Sequence, residues 1–144
     1  MSILFHLADV LRDPVKSKKK IISAWISEVI HQEQKKCGTI NIIFCSNDYL
    51  LKINEKYLKH HYYTDVITFL YNEGDVLSGD IFISVEQVVI NAERFKASFL
   101  EELLRVIIHG ILHLMGYNDE TDNERLNMHV LEDEALEKVL PKIK

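Results

Sequence analysis

An α+β fold, a small mixed β-sheet of about four strands packed with about five helices, is what this 144-residue sequence predicts. Three observations lead there. Short β-branched runs lie in the chain up to Ser84, and segments with helix-capping signatures fill the remainder. One of those segments is apolar on nearly every side, as the central helix of a core reads. Strands early and helices late fit this architecture better than a regular alternation of strand and helix.

The elements follow in order. Ile3 to Ala8 reads as a short strand, closed by the Asp13-Pro14 turn signal. From Ser17 to about Glu33, Ile21, Ile22, Trp25, Ile26, Val29 and Ile30 recur at helical spacing, an amphipathic helix that packs on a sheet. Gly38 is expected to start a reversal, and Thr39 to Cys45 to be a buried strand. A helix from about Asn47 to Leu58 would turn Leu50, Leu51, Ile53 and Tyr57 inward. Asp65 to Tyr71 and Gly79 to Ser84 read as strands joined by the turn chemistry of Asn72-Glu73-Gly74-Asp75, so a hairpin is expected. Ser84 with Gln87, Ser98 with Glu101 and Thr121 with Glu124 are capping-box pairs that open three helices. The last runs to about Leu140 and is expected to dock through Leu126, Val130, Leu136 and Val139.

Length predicts one domain over residues 1–144. The amino terminus lacks the basic start, apolar run and small-residue cleavage site of a secretory signal. No apolar run is long enough to span a bilayer, so no membrane partner is expected. Cys37 and Cys45 form no CxxC pair and read as reduced thiols of a cytoplasmic protein, with Cys45 in the core. The net charge of −5 divides into +4 over residues 1–64 and −9 over residues 65–144. A basic front half could track phosphates, and Lys16, Lys18, Lys19 and Lys20 could equally solvate a helix start. Lys59-His60-His61-Tyr62-Tyr63 has two readings too: an aromatic and basic segment that stacks unpaired bases, or a surface loop with one tyrosine tucked in.

Chemistry concentrates in Arg105 to Asp119, RVIIHGILHLMGYND. Residues four apart on a helix sit about 6 Å apart on one face, so His109 and His113 can aim imidazole nitrogens at one point. Gly116 supplies the φ > 0 position that ends a helix, and three further residues reach roughly 10 Å back. Asp119 is therefore the expected third ligand. Around the helix, Glu102, Arg105, His109 and His113 fall within roughly 80° of one another, a single polar stripe that must meet partners or line a cleft. Glu102 and Arg105 are expected to pair through their i, i+3 spacing. Peptidases of the HExxH type carry a glutamate after the first histidine. Here that position is Gly110, which counts against a peptidase.

The segment HGILHLMGYND at 109–119 resembles the HGxLHLxGYDH signature of the YbeY family of bacterial rRNA maturation factors. Asn54 and Tyr57, TDVITF at 64–69 and Gly79-Asp80-Ile81 resemble that family's N-x-x-Y-R, TDVLSF and GDI segments, and Met128 and Glu132 fit its pattern after the metal segment. The resemblance implies a zincin-like α+β fold with the metal site on a central helix. It also implies a single-strand-specific, metal-dependent endoribonuclease that matures ribosomal RNA precursors and works with the ribosome or its small subunit. Two positions depart from the pattern. Asp119 stands where the family has a third histidine, and Leu58 where it has an arginine. A carboxylate is an acceptable zinc ligand. Its negative charge leaves the ion a weaker Lewis acid than three histidines would.

The metal set is thus His109, His113 and Asp119, with Zn2+ as the default ion and another divalent ion as the alternative. No residue stands out as general acid or base; Glu102, Asp65 and Asp80 are the candidates. Besides the endoribonuclease, two readings stay open: a metallohydrolase of another substrate class, and a non-catalytic ribosome-assembly factor whose metal is structural.

Overall fold

The structure is a computed structural model that describes residues 2–58 and 64–143. Among these, β1 (Ser2–Leu7), α1 (Lys19–Gln32), β2 (Lys36–Cys45), α2 (Asn47–Leu58), β3 (Val66–Leu70), β4 (Val76–Ser84), α3 (Val85–Phe95), α4 (Phe99–Leu114) and α5 (Asp122–Ile143) follow one another along the chain. The strands form one mixed sheet in the order β1-β2-β4-β3. β1 and β4 both run parallel to β2, and β3 pairs antiparallel with β4 as the hairpin reading expected. The Lys59-His60-His61-Tyr62-Tyr63 segment lies outside the described residues.

Strand alternation decides which side chains meet the helices. Ile40, Ile42 and Phe44 of β2 and Leu77, Ile81 and Ile83 of β4 point to one face, where they are buried with Trp25 and Ile26 of α1, Ile107 and Ile111 of α4, and Leu136 and Val139 of α5. The Trp25 indole N–H donates to the carbonyl of Ala135 at 2.8 Å, which fixes α1 against α5. On the other face, among the described residues, α2 covers the sheet through a small cluster of Cys45, Leu50 and Ile67 with Ile53, Phe69 and Phe82.

Two glycines set how closely α4 lies on the sheet. A Cβ built on Gly110 would stand 2.8 Å from Cγ2 of Ile81, and one on Gly79 would stand 2.7 Å from Cδ2 of Leu114. The histidine helix is pressed against β4 and β3, and its polar stripe is left to face outward beside the β3 edge.

Several expectations are corrected. Gly38 does not reverse the chain. It lies inside β2, beside an irregularity in the pairing with β4, where a Cβ would meet Ser78 Oγ at 2.3 Å. Its missing side chain serves close strand approach. Leu126 and Val130 are exposed; α5 docks instead through Met128, Glu132, Ala135, Leu136, Val139 and Ile143. Ile21 and Tyr57 are also exposed, and Asn54 takes the buried place on α2 beside Leu50. All three capping serines and threonines accept the expected backbone N–H, and at Thr121 the bond is reciprocated by Glu124.

Candidate metal centre

The end of α4 builds the site. Gly116, at φ +101°, closes the helix; its N–H donates to the carbonyl of His113, and the Tyr117 N–H donates to that of Leu112. These are the two bonds of a Schellman cap. They turn the chain back along the helix and bring Asp119 over the histidines. His109 Nε2 and His113 Nε2 stand 3.0 Å apart, and Asp119 Oδ2 lies 3.2 Å from the first and 3.4 Å from the second. His109, His113 and Asp119 are the one group among the described residues in which three such side chains converge closely enough to hold a metal ion.

The outer partners fix the tautomers. His113 Nδ1 lies 2.9 Å from the carbonyl oxygen of Tyr117, which can only accept, so Nδ1 must carry the proton. His109 Nδ1 lies 2.6 Å from Oε2 of Glu132, which assigns its proton in the same way. Both Nε2 atoms of the neutral rings are then bare acceptors, and the Asp119 carboxylate is a third. Three lone pairs facing one another within 3.4 Å need a cation between them. Donors around one tetrahedral ion bound at about 2.0–2.1 Å would stand about 3.3 Å apart. The donor set therefore fits a divalent ion.

Glu132 is nearly enclosed and also accepts from Arg105 at 3.0 Å, and Arg105 reaches Asp133 at 2.6 Å. The expected Glu102–Arg105 pairing is replaced by this cross-helix one, because α5 presents two carboxylates to the guanidinium. Burial depresses the pKa of His109, but the bond and charge of Glu132, with Asp65 and Asp119, outweigh it and hold the ring above its ordinary value. In the absence of an ion a proton would fill the same space. The Tyr117 hydroxyl donates to Glu33 at 2.7 Å, which ties the metal loop to the end of α1.

Two clefts meet at the group, sharing Asp65, His109 and Asp119. One, of about 630 Å³, runs between α2, β3 and the metal loop and is lined by Asn54, Leu58, Thr64, Thr68, His113 and Asn118 among others. The other, of about 530 Å³, is bordered by Asn91, Phe95, Glu102, Arg105, His129 and Glu132. Asp65 stands at the junction. Its Oδ2 accepts from the Asn91 amide at 3.1 Å, and Asn91 in turn accepts from Gln87 at 3.2 Å. Burial pushes the Asp65 carboxyl above the ordinary carboxylate range, against the attraction of His109. Glu102, also raised by burial, lies in the second cleft two turns back along α4. Asp80 is elsewhere: it accepts from Asn41 and Tyr71 on the far face of the sheet.

Residue reasoning missed Glu132 as the partner of His109. A glutamate centred in the apolar Met128, Leu136 and Val139 stripe was the available signal. The Tyr117 carbonyl left no signal, since a backbone group has no side-chain type to read.

A family model described as Endoribonuclease YbeY matches residues 9–140. The chain belongs to that family. A Parabacteroides distasonis member named Endoribonuclease YbeY is 48% identical over 136 residues, which cover 94% of each chain. A Flavobacterium psychrophilum member of the same name is 54% identical over 112 residues, 78% of this chain and 80% of that one. A solution structure of a Thermotoga maritima protein superposes with a TM-score of 0.69 at 29% identity, covering 96% of this chain and 90% of that one. The α+β fold is therefore one that a solved structure shares. Among the described residues, no helix is long and apolar enough to cross a membrane.

Proposed function

We propose that this chain is a single-domain, metal-dependent endoribonuclease that cleaves single-stranded RNA in ribosomal RNA maturation, working in the cytoplasm with the ribosome or its small subunit. The observation that carries this reading is the convergence of His109, His113 and Asp119 at the junction of two open clefts, in a chain whose relatives are named endoribonucleases. Zn2+ suits two imidazoles and a carboxylate, and three protein donors are one fewer than a closed structural site takes. A bound divalent ion would supply Lewis acidity toward a phosphoryl oxygen and make a water acidic enough to attack.

The chain's own groups do the rest. Glu132 and the Tyr117 carbonyl hold the two rings by their Nδ1 protons, so that both Nε2 lone pairs face inward. In the metal-free chain burial raises the Asp65 carboxyl above its ordinary value. Its Oδ1, the oxygen not bonded to the Asn91 amide, is the atom from which a leaving oxygen in the cleft can be protonated. Among the described residues the larger cleft carries no Lys or Arg, and Leu58 stands in its wall. Among the described residues, the neutral donors lining that cleft are the Asn118 amide and the hydroxyls of Thr64 and Thr68.

The test is cleavage of an end-labelled, single-stranded ribosomal RNA fragment. Wild type should lose activity with chelator and regain it with added zinc, and Asp119→Ala should lose both bound metal and cleavage. Asp65→Asn should keep the metal and cleave at least 100-fold more slowly. Chelator-resistant cleavage, or full metal retention by Asp119→Ala, would overturn the assignment.

A further inference from the structure

On the far side of β3 from the histidines, a pocket of about 290 Å³ is lined by Ile53, Tyr57, Phe69, Tyr71, Asp80 and Phe82. The mechanism above leaves it without a role. Phe69 meets Phe82 edge-on at 5.9 Å and Tyr57 edge-on at 5.8 Å, forming a rigid aromatic floor and one wall. Tyr57 and Tyr71 are 59% and 58% exposed, so neither ring is needed to seal the core. The Lys56 ammonium sits 5.2 Å from the centre of the Tyr57 ring. Asp80 points in with a carboxylate steadied by the Tyr71 hydroxyl at 3.2 Å and the Asn41 amide at 3.1 Å.

The pocket adjoins the catalytic cleft. Leu58 and Leu70, the chain neighbours of Tyr57 and Tyr71, line that cleft beside His109 and His113 and are themselves exposed. The two openings lie on either side of the β3 edge, and residues 57–58 and 70–71 are shared out between them as chain neighbours.

We propose that this pocket binds one unpaired nucleobase of an RNA strand whose scissile phosphate lies at the His109, His113 and Asp119 group. This rests on the RNA reading given above. The exposed tyrosine faces offer stacking surface, which every base can use. Lys56, on the rim, meets the adjoining phosphate, while Asp80 repels phosphate and turns the base edge inward. A carboxylate accepts hydrogen bonds, so the pocket favours a base that presents an amino group over one that presents a carbonyl. Cytosine and uracil have the same ring size and differ in that group, and cytosine is preferred.

The experiment measures binding of fluorescently labelled 2′-O-methyl oligo(C) and oligo(U) to the full chain by anisotropy, with gels to verify that the oligonucleotides stay intact. Oligo(C) should bind wild type at least fivefold more tightly than oligo(U), and Asp80→Asn should erase the difference. Tyr57→Ala and Tyr71→Ala should each weaken oligo(C) binding about 5- to 150-fold, the range for a lost base stack, and Tyr57→Phe should restore it. Thermal unfolding identifies any variant that fails to fold; Tyr71, outside the core, then carries the test. Alanine variants that bind like wild type, or equal binding of the two oligonucleotides by wild type, would overturn the pocket while leaving the nuclease reading intact. A wild type that neither binds nor cleaves RNA would overturn that reading itself.

Discussion

Replacing Glu132 by Gln preserves volume and one acceptor but removes the charge that orients His109. In the structure Glu132 Oε2 holds His109 Nδ1 at 2.6 Å, and Oε1 holds Arg105 at 3.0 Å. Loss of such an outer partner typically costs 10- to 100-fold in metal affinity. With free zinc at about 100 times the wild-type Kd, binding stabilises the wild type by about 2.7 kcal/mol. At about 2–4 °C per kcal/mol for a chain of this size, that raises Tm by about 5–11 °C. A 100-fold weaker site at the same zinc concentration gains only about 0.4 kcal/mol, or about 1–2 °C. Calorimetry of apo and zinc-loaded samples of each protein isolates this increment from any effect on the apo fold. An increment equal to wild type in Glu132→Gln would refute the claim that Glu132 supports the metal ligand.

Three further outcomes are expected. The Asp65 pKa lies above the ordinary carboxylate range in the folded protein because burial disfavours its charge, so its ionisation costs stability that is absent below about pH 4 and grows as pH rises through the folded value. Asp65→Asn should therefore raise the apo Tm relative to wild type at pH 7–8, with the gain vanishing near pH 4 in a pH series of melts. Gly110→Ala adds a Cβ 2.8 Å from Ile81 Cγ2. Overpacking of about 1–3 kcal/mol should exceed the gain of about 1 kcal/mol in helix propensity, giving a lower urea midpoint. Cys45 is fully enclosed and burial pushes its thiol up to about 12, and Cys37 is buried and raised as well. A chromogenic disulfide reagent at pH 8 should leave Cys45 unmodified in the native protein and label both thiols in denaturant.

Periodicity and capping residues located the elements because those signals are local. The β-branched runs became β1 to β4, the capping serines and threonine start α3 to α5, and Gly116 ends α4 as its φ requires. The errors arose where a residue answers to something distant in sequence. Gly38 is small because Ser78 of a neighbouring strand passes close, not because the chain turns. Arg105 turns from Glu102 toward Glu132 and Asp133 because α5 lies across it. Leu126 and Val130 share the spacing of an inner face, yet Met128 and Glu132 take it, since Glu132 has a histidine to meet. The convergence of His109, His113 and Asp119 was legible because two of them sit one helical turn apart. Asp65 stood only as one of three acid–base candidates, because the β3 edge brings it to the site from more than 40 positions away in the chain.

Anomalous scattering at the zinc edge from a crystal of the zinc-loaded protein tests the central claim most directly. A single peak is predicted within about 2.0–2.2 Å of both Nε2 atoms, His109 and His113, and of an Asp119 oxygen. A peak bound to other side chains, or one with the Asp119 carboxylate turned away, would contradict it.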